Sequence, residues 1–324
     1  MTEKEILNMP KIDLHCHLDG SMTKQGIEKI LEREVSLSEL QVSDNCKSLA
    51  EYLEKFDLPL ECIQTPEGLT ESAKEFLLSL QGDHIKYVEV RFAPQLSANQ
   101  GMSCTKVMEA VLDGLKEAKE QCGIYYQVIA CMMRHHSEEM NLAMLKECRE
   151  FLGEGLCAVD LAGDEAGFPT RNFYESFRYA KNLDYPFTIH AGECGSTQSI
   201  LDAVEMGAGR IGHGIAMKGN LEVQKLLAKK RIGVEMCPIS NYQTKAVSPG
   251  EDYPIREFSK EGVLVTVNTD NRTVSNTSLG KEFTFLQKNF GISDEEIYQY
   301  QKNALEVAFC DELMKHEVWK IIVK

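Results

Sequence analysis

Short apolar, β-branched segments alternate with longer segments of helical spacing along the chain, and this alternation limits the possible folds most strongly. Eight short segments are present, at residues 11–18, 85–94, 126–134, 156–164, 187–193, 210–214, 233–240 and 263–270. Helical spacing between them is clearest at residues 105–121, 138–151, 199–206 and 221–230. Repetition of strand then helix predicts a parallel sheet with helical crossovers.

Eight strand–helix units predict an α/β fold, a (β/α)8 TIM barrel, with a doubly wound open sheet as the structural alternative. Two further helical segments, 294–309 and 311–322, follow the last unit. We expect them to form extra C-terminal helices that pack across the outside of the barrel. Such barrels run from roughly 200 to over 400 residues as one unit, so we expect a single domain over residues 1–324.

The charge balance limits the partners of the chain. Lys and Arg total 35 against 50 Asp and Glu, which gives a net charge of −15. Charge of this sign repels phosphate backbones and anionic lipids, so we expect no nucleic acid and no membrane as partners. The first residues lack the apolar region of a signal peptide. The eleven cysteines form no C-x-x-C pair, which favours free thiols and a cytoplasmic protein.

Residues able to carry chemistry stand at the ends of the eight segments. They are His15, His17, Arg91, Arg134, His135, Asp160, Asp164, His190, Glu193, His213 and Asp270. The strand ends of a barrel converge on one mouth. Residues far apart in the sequence are therefore expected to meet there.

Four of these residues predict a metal site. His15 and His17 are two apart on a predicted strand and so point to the same face. His190 offers a third nitrogen, and Asp270 is costly to bury at a barrel mouth without a partner such as a metal ion. Three histidines and one carboxylate, with one position left for water, are typical of catalytic zinc. Taken alone, the His15 and His17 pair also fits ordinary interior histidines, and the segment at His190 also fits a solvated strand end. The prediction therefore depends on all four residues occurring together.

Two more residues are predicted to work beside that metal. Glu193 follows a glycine that allows a sharp turn, and we expect its carboxyl group to project over whatever the metal holds. If the metal is present, we expect His213 to act as a general base or in an oxyanion role, and the alternative is a core histidine capped by a carbonyl. The nearby residues 207–212 fit G-x-G-x-x-G but lead from a helix into a strand. A dinucleotide loop needs the opposite order, so none is predicted.

The motifs together resemble those of bacterial-type adenosine deaminases in the amidohydrolase superfamily. They are Lys11-Ile-Asp-Leu-His-Cys-His-Leu-Asp-Gly20, Val88-Glu-Val-Arg-Phe-Ala-Pro94, Met133-Arg-His135, Asp160-Leu-Ala-Gly-Asp-Glu165, His190-Ala-Gly-Glu193, Arg210-Ile-Gly-His-Gly214, Cys237-Pro-Ile-Ser-Asn241 and Asn268-Thr-Asp270. They occur in family order from about Lys11 to Phe283. The resemblance implies a barrel with one zinc ion per chain. It also implies conversion of adenosine and 2′-deoxyadenosine to inosine and 2′-deoxyinosine with release of ammonia, a step of purine salvage.

The resemblance also implies roles for single residues. The implied metal ligands are His15, His17, His190 and Asp270, and the implied catalytic residues are Glu193, His213 and Asp270. Glu193 would protonate purine N1, while His213 would act as base and electrostatic partner of the attacking hydroxide. The implied substrate-binding residues are His17, Asp19, Gly163 and Asn271. Asp19 would bind the ribose 5′-hydroxyl and Gly163 would donate its backbone N–H to N3.

Asn271 departs from the animal-type pattern, in which a second aspartate usually stands at this place. That group hydrogen-bonds to purine N7, which is an acceptor. An amide can donate to N7 without first being protonated, as an acid would have to be. Asn271 is therefore compatible with the role, and it indicates a bacterial-type variant.

Alternatives stay open at this point. Leu49, Tyr52, Leu53 and Phe56 lie on one helical face, which fits either an apolar lid, as in the family, or a core-facing helix. A deaminase of a related aminopurine is the first functional alternative, with adenine, N6-methyl-AMP or aminodeoxyfutalosine as substrate. A non-catalytic nucleoside-binding protein is the second. The short Asp19 favours a nucleoside over a free base, and we expect a monomer or a weak homo-oligomer.

Overall fold

Parallel strands alternate with helices throughout the computed structural model, which describes residues 1–43, 46, 49–98, 101–194 and 196–322. The strands are β1 Lys11–His17, β2 Ile85–Phe92, β3 Tyr125–Met133, β4 Leu156–Ala162, β5 Thr188–Ala191, β6 Arg210–His213, β7 Gly233–Met236 and β8 Leu264–Val267. Each sequence segment overlaps one strand, and the predicted site residues stand in or just after the last residues of their strands.

The strands close into a barrel. Consecutive strands pair in parallel from β1 to β4 and again from β5 to β8. A parallel bridge between Val159 and Phe187 joins β4 to the start of β5, and another between Cys16 and Asp270 joins β1 to the end of β8. The predicted (β/α)8 barrel is therefore confirmed, and the doubly wound alternative is wrong because an open sheet would leave two edges unpaired.

The helices surround these strands. They are α1 Glu3–Asn8, α2 Lys24–Leu31, α3 Leu37–Leu40, α4 Leu49–Leu53, α5 Asp57–Cys62, α6 Pro66–Ser79, α7 Cys104–Cys122, α8 Glu138–Cys148, α9 Tyr174–Asn182, α10 Thr197–Met206, α11 Leu221–Lys230, α12 Pro238–Gln243, α13 Ile255–Lys260, α14 Leu279–Phe290, α15 Asp294–Val307 and α16 Glu312–Ile322. Within the described residues, none is long and apolar enough to cross a membrane.

Helix ends follow from local sequence. The Ser103 hydroxyl accepts from the Lys106 N–H at the start of α7, and Gly123 ends that helix at φ 68°. A serine N-cap and a left-handed glycine at the end are the preferred helix termini. Gly207 ends α10 in the same way at φ 90°. The glycine-rich residues 207–212 thus lead from a helix into β6, which confirms that they are not a dinucleotide loop.

The two C-terminal helices are confirmed, but they lie across the N-terminal end of the barrel. Ala304, Leu305 and Val318 pack against Ile12 and Tyr87 of the first strands. A side chain of α15 also completes the seam between β1 and β8, where Gln301 Oε1 accepts from the Ile12 N–H at 2.7 Å. These helices therefore form the floor of the barrel, opposite the strand ends that carry the predicted site.

A buried ion network rises from this floor. Glu89 accepts from the Phe309 N–H and from the Arg210 guanidinium. Arg210 also donates to Glu235, and Arg91 donates to Glu235 from the other side. The side chains of Glu89, Arg210 and Glu235 are completely buried, so each charge depends on its partners for stabilisation.

Removing one partner from this network should destabilise the fold. We expect Glu89→Ala to lower the free energy of unfolding by about 3–5 kcal/mol, because it leaves Arg210 buried with fewer partners. Urea unfolding measures this difference. The control is Glu306→Ala, which breaks an exposed ion pair with Arg231 and should cost at most about 1 kcal/mol. Equal losses in the two variants would contradict this reading of the network.

Candidate active site

The strand ends surround one cavity of about 360 Å³. The predicted site residues that line it are His17, Asp19, Gly163, His190, Glu193, His213, Asp270 and Asn271. His15 lies beneath them and is completely buried. The sequence therefore predicted the position of all nine residues at one mouth, although they come from five different strand ends. A cavity of this size suits a small molecule.

Four of these residues could hold a metal ion. One donor atom from each of His15, His17, His190 and Asp270 lies within 4.8 Å of the others. The Nε2 atoms of His17 and His190 are 3.4 Å apart, and both His15 Nε2 and His17 Nε2 lie 3.4 Å from Asp270 Oδ1. Tetrahedral ligands at about 2.0–2.1 Å from zinc are about 3.3–3.4 Å from one another. His15 Nε2 is buried without a hydrogen-bond partner, so the cluster fits a cation.

Carboxylates hold two of these imidazoles from behind. His15 Nδ1 is 2.8 Å from Glu235 Oε2, and His190 Nδ1 is 2.8 Å from Asp160 Oδ2. Burial alone would raise the pKa of Asp160, but His190 and Arg91 hold that pKa below its ordinary value. Carboxylate–histidine pairs of this kind fix the ring so that Nε2 faces a metal.

Asp270 is held by its backbone as well as by its side chain. Its N–H donates to the His15 carbonyl, its carbonyl accepts from the His17 N–H, and its Oδ2 accepts from the Ser240 hydroxyl at 2.6 Å. Its φ is 58°, a conformation that costs a residue with a side chain of order 1–3 kcal/mol. His213 shows the same left-handed φ, 61°. Such strain persists only where surrounding contacts enforce it, and it often marks a functional site.

The Glu193 side chain enters the cavity from a backbone turn that is held in place by hydrogen bonds. Gly192 has φ +77°, and a Cβ there would lie 2.6 Å from Ile200. The Glu165 carboxylate accepts from the N–H groups of Gly192, Glu193 and Cys194 at 2.7, 3.0 and 3.0 Å. Burial, with the negative charges of Asp270 and Glu165, raises the pKa of Glu193 to about 8. The carboxyl group therefore keeps a proton at neutral pH.

His213 lies beside Glu193. Its Nε2 is 3.7 Å from Glu193 Oε2, and its Nδ1 is 2.9 Å from Asn241 Nδ2. Burial, with the neighbouring His15 and His190, lowers the pKa of His213 well below its ordinary value even though Asp270 opposes this. The imidazole is therefore neutral, and it is not a core histidine capped by a carbonyl.

The residues predicted to contact the sugar and the purine also line the cavity; they are Asp19, Gly163 and Asn271. Burial raises the pKa of Asp19 to about 6. Gly163 has φ +103°, which favours a glycine. The Asn271 side chain fits only because Gly20 has no Cβ, which would lie 1.8 Å from Asn271 Oδ1. The left-handed backbone at Gly163 and the close approach at Gly20 explain two glycines within the family motifs.

The predicted lid face covers part of the cavity. Tyr52, Leu53 and Phe56 line it, while the side chain of Leu49 lies outside the described residues. The Tyr52 hydroxyl is 2.6 Å from the Ser275 hydroxyl and ties this segment to the loop after β8. The lid interpretation is therefore supported over a helix that only faces the core.

Several residues that support the site were not identified from the sequence. Glu165, Ser240 and Asn241 lie inside the motifs but were given no role. Glu235 stands in the middle of an otherwise apolar strand, and such a buried charge is itself a signal. Tyr253 carries no signal in the sequence.

The comparisons with known proteins point to one family. Residues 10–324 match the family described as adenosine deaminase. The chain is 40% identical over 318 residues to an adenosine deaminase from Enterococcus faecalis, covering 95% of this chain and 94% of that one. It is 38% identical over 324 residues to one from Clostridium perfringens, covering 97% and 98%. The N6-mAMP deaminase of Arabidopsis superposes with a TM-score of 0.87 at 25% identity and 99% coverage of both chains.

Proposed function

Since the chain belongs to the adenosine deaminase family and is a hydrolase that deaminates adenosine, we propose that one zinc ion per chain supports this reaction. We further propose that adenosine and 2′-deoxyadenosine are its substrates. The observation that carries the proposal is the cluster of His15, His17, His190 and Asp270 beneath a neutral acid, Glu193. Water and adenosine give inosine and ammonia in this reaction.

Zinc is the proposed metal because of the donor set. Enzymes of this family depend on a metal ion, and three imidazoles with one carboxylate suit zinc at a catalytic site better than magnesium or calcium, which prefer oxygen ligands. Zinc bound here would lower the pKa of a water molecule to about 7 and so supply a nucleophile at neutral pH.

Glu193 is proposed as the proton donor. Attack at purine C6 breaks the aromaticity of the ring and moves electron density onto N1. The buried carboxyl group holds a proton at neutral pH because its pKa is about 8, and N1 receives that proton as the electron density arrives. The three N–H groups bound to Glu165 keep the turn before and after Glu193 in place, so the acid meets N1 without rearranging.

His213 and Asp270 are proposed to orient the attacking water and to manage its proton. Asp270 keeps its negative charge because His15, His213 and His17 lower its pKa well below the ordinary value, although burial opposes this. The proton that leaves the water is passed on to the exocyclic nitrogen, which departs as ammonia. Groups that transfer protons in this way typically contribute about 10²–10⁴-fold each.

The remaining cavity residues are proposed to bind the nucleoside. Asp19 accepts from the ribose 5′-hydroxyl, Gly163 donates its N–H to N3 and Asn271 donates its amide to N7. His17 contacts the substrate from the metal side. An apolar wall of Leu53, Phe56 and neighbouring side chains faces the base, since a purine offers a large apolar surface.

A neutral sugar suits this cavity better than a phosphate. Acidic side chains at the cavity include Asp19, Asp57 and Asp164, and the basic ones among the lining residues that the structure describes are all histidines. Phosphate recognition usually uses arginine or lysine. The charges therefore favour a nucleoside over a nucleotide such as N6-methyl-AMP.

A substrate panel tests the proposed function. We expect kcat/KM for AMP and N6-methyl-AMP to be at least about 100-fold below that for adenosine, since like charges brought together cost several kcal/mol. Adenine should also be poor because it lacks the hydroxyl that Asp19 binds. The measurement is the ultraviolet change on deamination. Replacing Asp57 and Asp164 together by asparagine should reduce the difference in kcat/KM between adenosine and AMP. Equal turnover of AMP and adenosine by the native protein would refute the proposal.

Three further proposals concern the domain organisation, the oligomeric state and the cellular compartment. We propose that residues 1–324 form one domain, that the protein acts as a monomer or a weak homo-oligomer, and that it works in the cytoplasm. The cysteines in the described part of the chain form no disulfide bond, which suits a reducing compartment. The net charge of −15 supports a small purine partner rather than nucleic acid or a membrane surface.

A further inference from the structure

A line of buried hydrogen bonds leads from Tyr253 to His213. The Tyr253 hydroxyl donates to Asn241 Oδ1 at 2.8 Å, and Asn241 Nδ2 lies 2.9 Å from His213 Nδ1. Asn241 and His213 are almost completely buried, and Tyr253 is 4% exposed. No solvent is therefore needed to complete the line.

The direction of each hydrogen bond follows from the first donor. The Tyr253 hydroxyl donates its hydrogen to the side-chain oxygen of Asn241. An amide oxygen can only accept, so the oxygen of Asn241 faces Tyr253 and its NH2 group faces His213. An NH2 group can only donate, so Nδ1 of His213 must carry the lone pair. A neutral imidazole then has its hydrogen on Nε2, the nitrogen on the Glu193 side.

The segment that supplies this line is firmly packed. The ring of Tyr253 lies 6.0 Å from that of Tyr242 and 6.3 Å from that of Phe290. Asn241 is in α12, which begins directly after β7, whereas Tyr253 comes from the loop before α13. Tyr253 lies outside every family motif quoted above. It hydrogen-bonds to Asn241, which in turn contacts His213 in the active site.

We propose that Tyr253 and Asn241 are positioning residues that fix His213 as a hydrogen-bond donor toward the cavity. This inference rests on the proposed function, in which His213 faces the attacking water. The sequence alone allows His213 either a general-base or an oxyanion role. With its hydrogen on Nε2, His213 can stabilise an oxygen that gains negative charge but cannot take a proton from water. Asp270 is left as the group that accepts that proton.

Nuclear magnetic resonance reads the hydrogen position directly. Protein labelled with 15N-histidine and loaded with zinc contains eight histidines, and the signal lost in His213→Gln identifies His213. We expect long-range 1H–15N correlations to show a hydrogen on Nε2 and none on Nδ1. A hydrogen on Nδ1 of the wild-type protein would overturn the proposal, and this result requires no change at Tyr253 or Asn241.

Two variants test the line itself. Asn241→Asp offers only acceptors to His213, so we expect a hydrogen to appear on Nδ1. Tyr253→Phe leaves the Asn241 amide free to turn, so we expect mixed signals and a kcat lower by about 10–100-fold, the usual effect of losing an outer partner. The KM should change less than about twofold, because His213 acts on the water and not on the nucleoside.

Tyr242→Phe is the matched control. The Tyr242 hydroxyl donates to the Glu251 carbonyl and takes no part in the line, so kcat and the spectrum should stay as in the wild type. An unchanged spectrum and an unchanged kcat in Tyr253→Phe would overturn the role of Tyr253. The spectrum is recorded without turnover. Failure of all aminopurine assays would therefore refute the proposed function separately, whatever the hydrogen position.

Discussion

Glu193→Gln should lower kcat by about 10²–10⁴-fold while the bound metal is retained. The amide keeps the size of the acid but has no proton to transfer to N1, and a positioned proton donor is worth about that factor. Glu193 lies outside the proposed ligand set, so the metal content should stay at one ion per chain. Adenosine turnover followed in the ultraviolet, together with metal analysis of the same sample, measures both quantities.

The pH profile separates this role from a merely structural one. The pKa of Glu193 is raised to about 8, so the neutral, proton-donating form is fully present below that pH and is lost as the pH rises through it. The positive charge of a bound metal would lower this pKa. We therefore expect kcat/KM of the wild type to fall on the alkaline side at or below about pH 8, and this limb to be absent in Glu193→Gln.

The matched control for this variant is Glu312→Gln. The Glu312 side chain is 90% exposed, far from the strand ends, and its replacement should leave kcat and the pH profile unchanged. A Glu193→Gln protein with kcat within about threefold of the wild type, below the range for a proton donor, would show that another group protonates N1.

Removal of the metal should also lower adenosine turnover strongly. Dialysis against a chelator should lower adenosine turnover at least about 10³-fold, since charge stabilisation by a catalytic metal is worth several kcal/mol. Zinc added back should restore turnover in proportion, with a break at one equivalent per chain. The metal should also stabilise the fold, by about 2.7 kcal/mol when its free concentration is 100 times the Kd. Thermal unfolding with and without zinc measures that gain.

Asp270→Ala and Asp184→Ala form the matched pair for the metal. Asp270 belongs to the donor cluster, whereas the Asp184 side chain is 86% exposed. Only Asp270→Ala should lose zinc binding and the zinc-dependent rise in melting temperature. If the chelated protein kept full activity, or if Asp270→Ala bound zinc normally, the proposed site would be wrong.

Much of the architecture could be predicted because it repeats locally. Most barrel strands are short apolar runs that leave a pattern in the sequence, whereas β6, with the sequence Arg-Ile-Gly-His, is recognised only by its place in the alternation. The bounds of α11 are the predicted residues 221–230, and those of α7 and α10 differ from the prediction by one or two residues at an end. The site residues were predictable for the same reason, because every strand of a barrel ends at the same mouth.

The partners of the site residues could not be predicted in the same way. Glu89 and Phe309 are 220 residues apart, and no local pattern indicates that they pair. The C-terminal helices were predicted, but a helical period does not tell which part of the barrel a helix covers. Tyr253 looks like any tyrosine in a loop. Its importance comes from its hydrogen bond to Asn241, a residue 12 positions away that reaches it only in the folded chain.

Closure of the barrel must wait until the C-terminal part of the chain has been synthesised. The Ile12 N–H of β1 donates to Gln301, which is 289 residues further along the chain. At about 5–20 residues per second on the ribosome, Gln301 is synthesised about 15–60 s after Ile12. During that time the edge of β1 is a template for pairing with other chains. We expect the yield of folded protein in cells to depend on factors that shield this edge while translation continues.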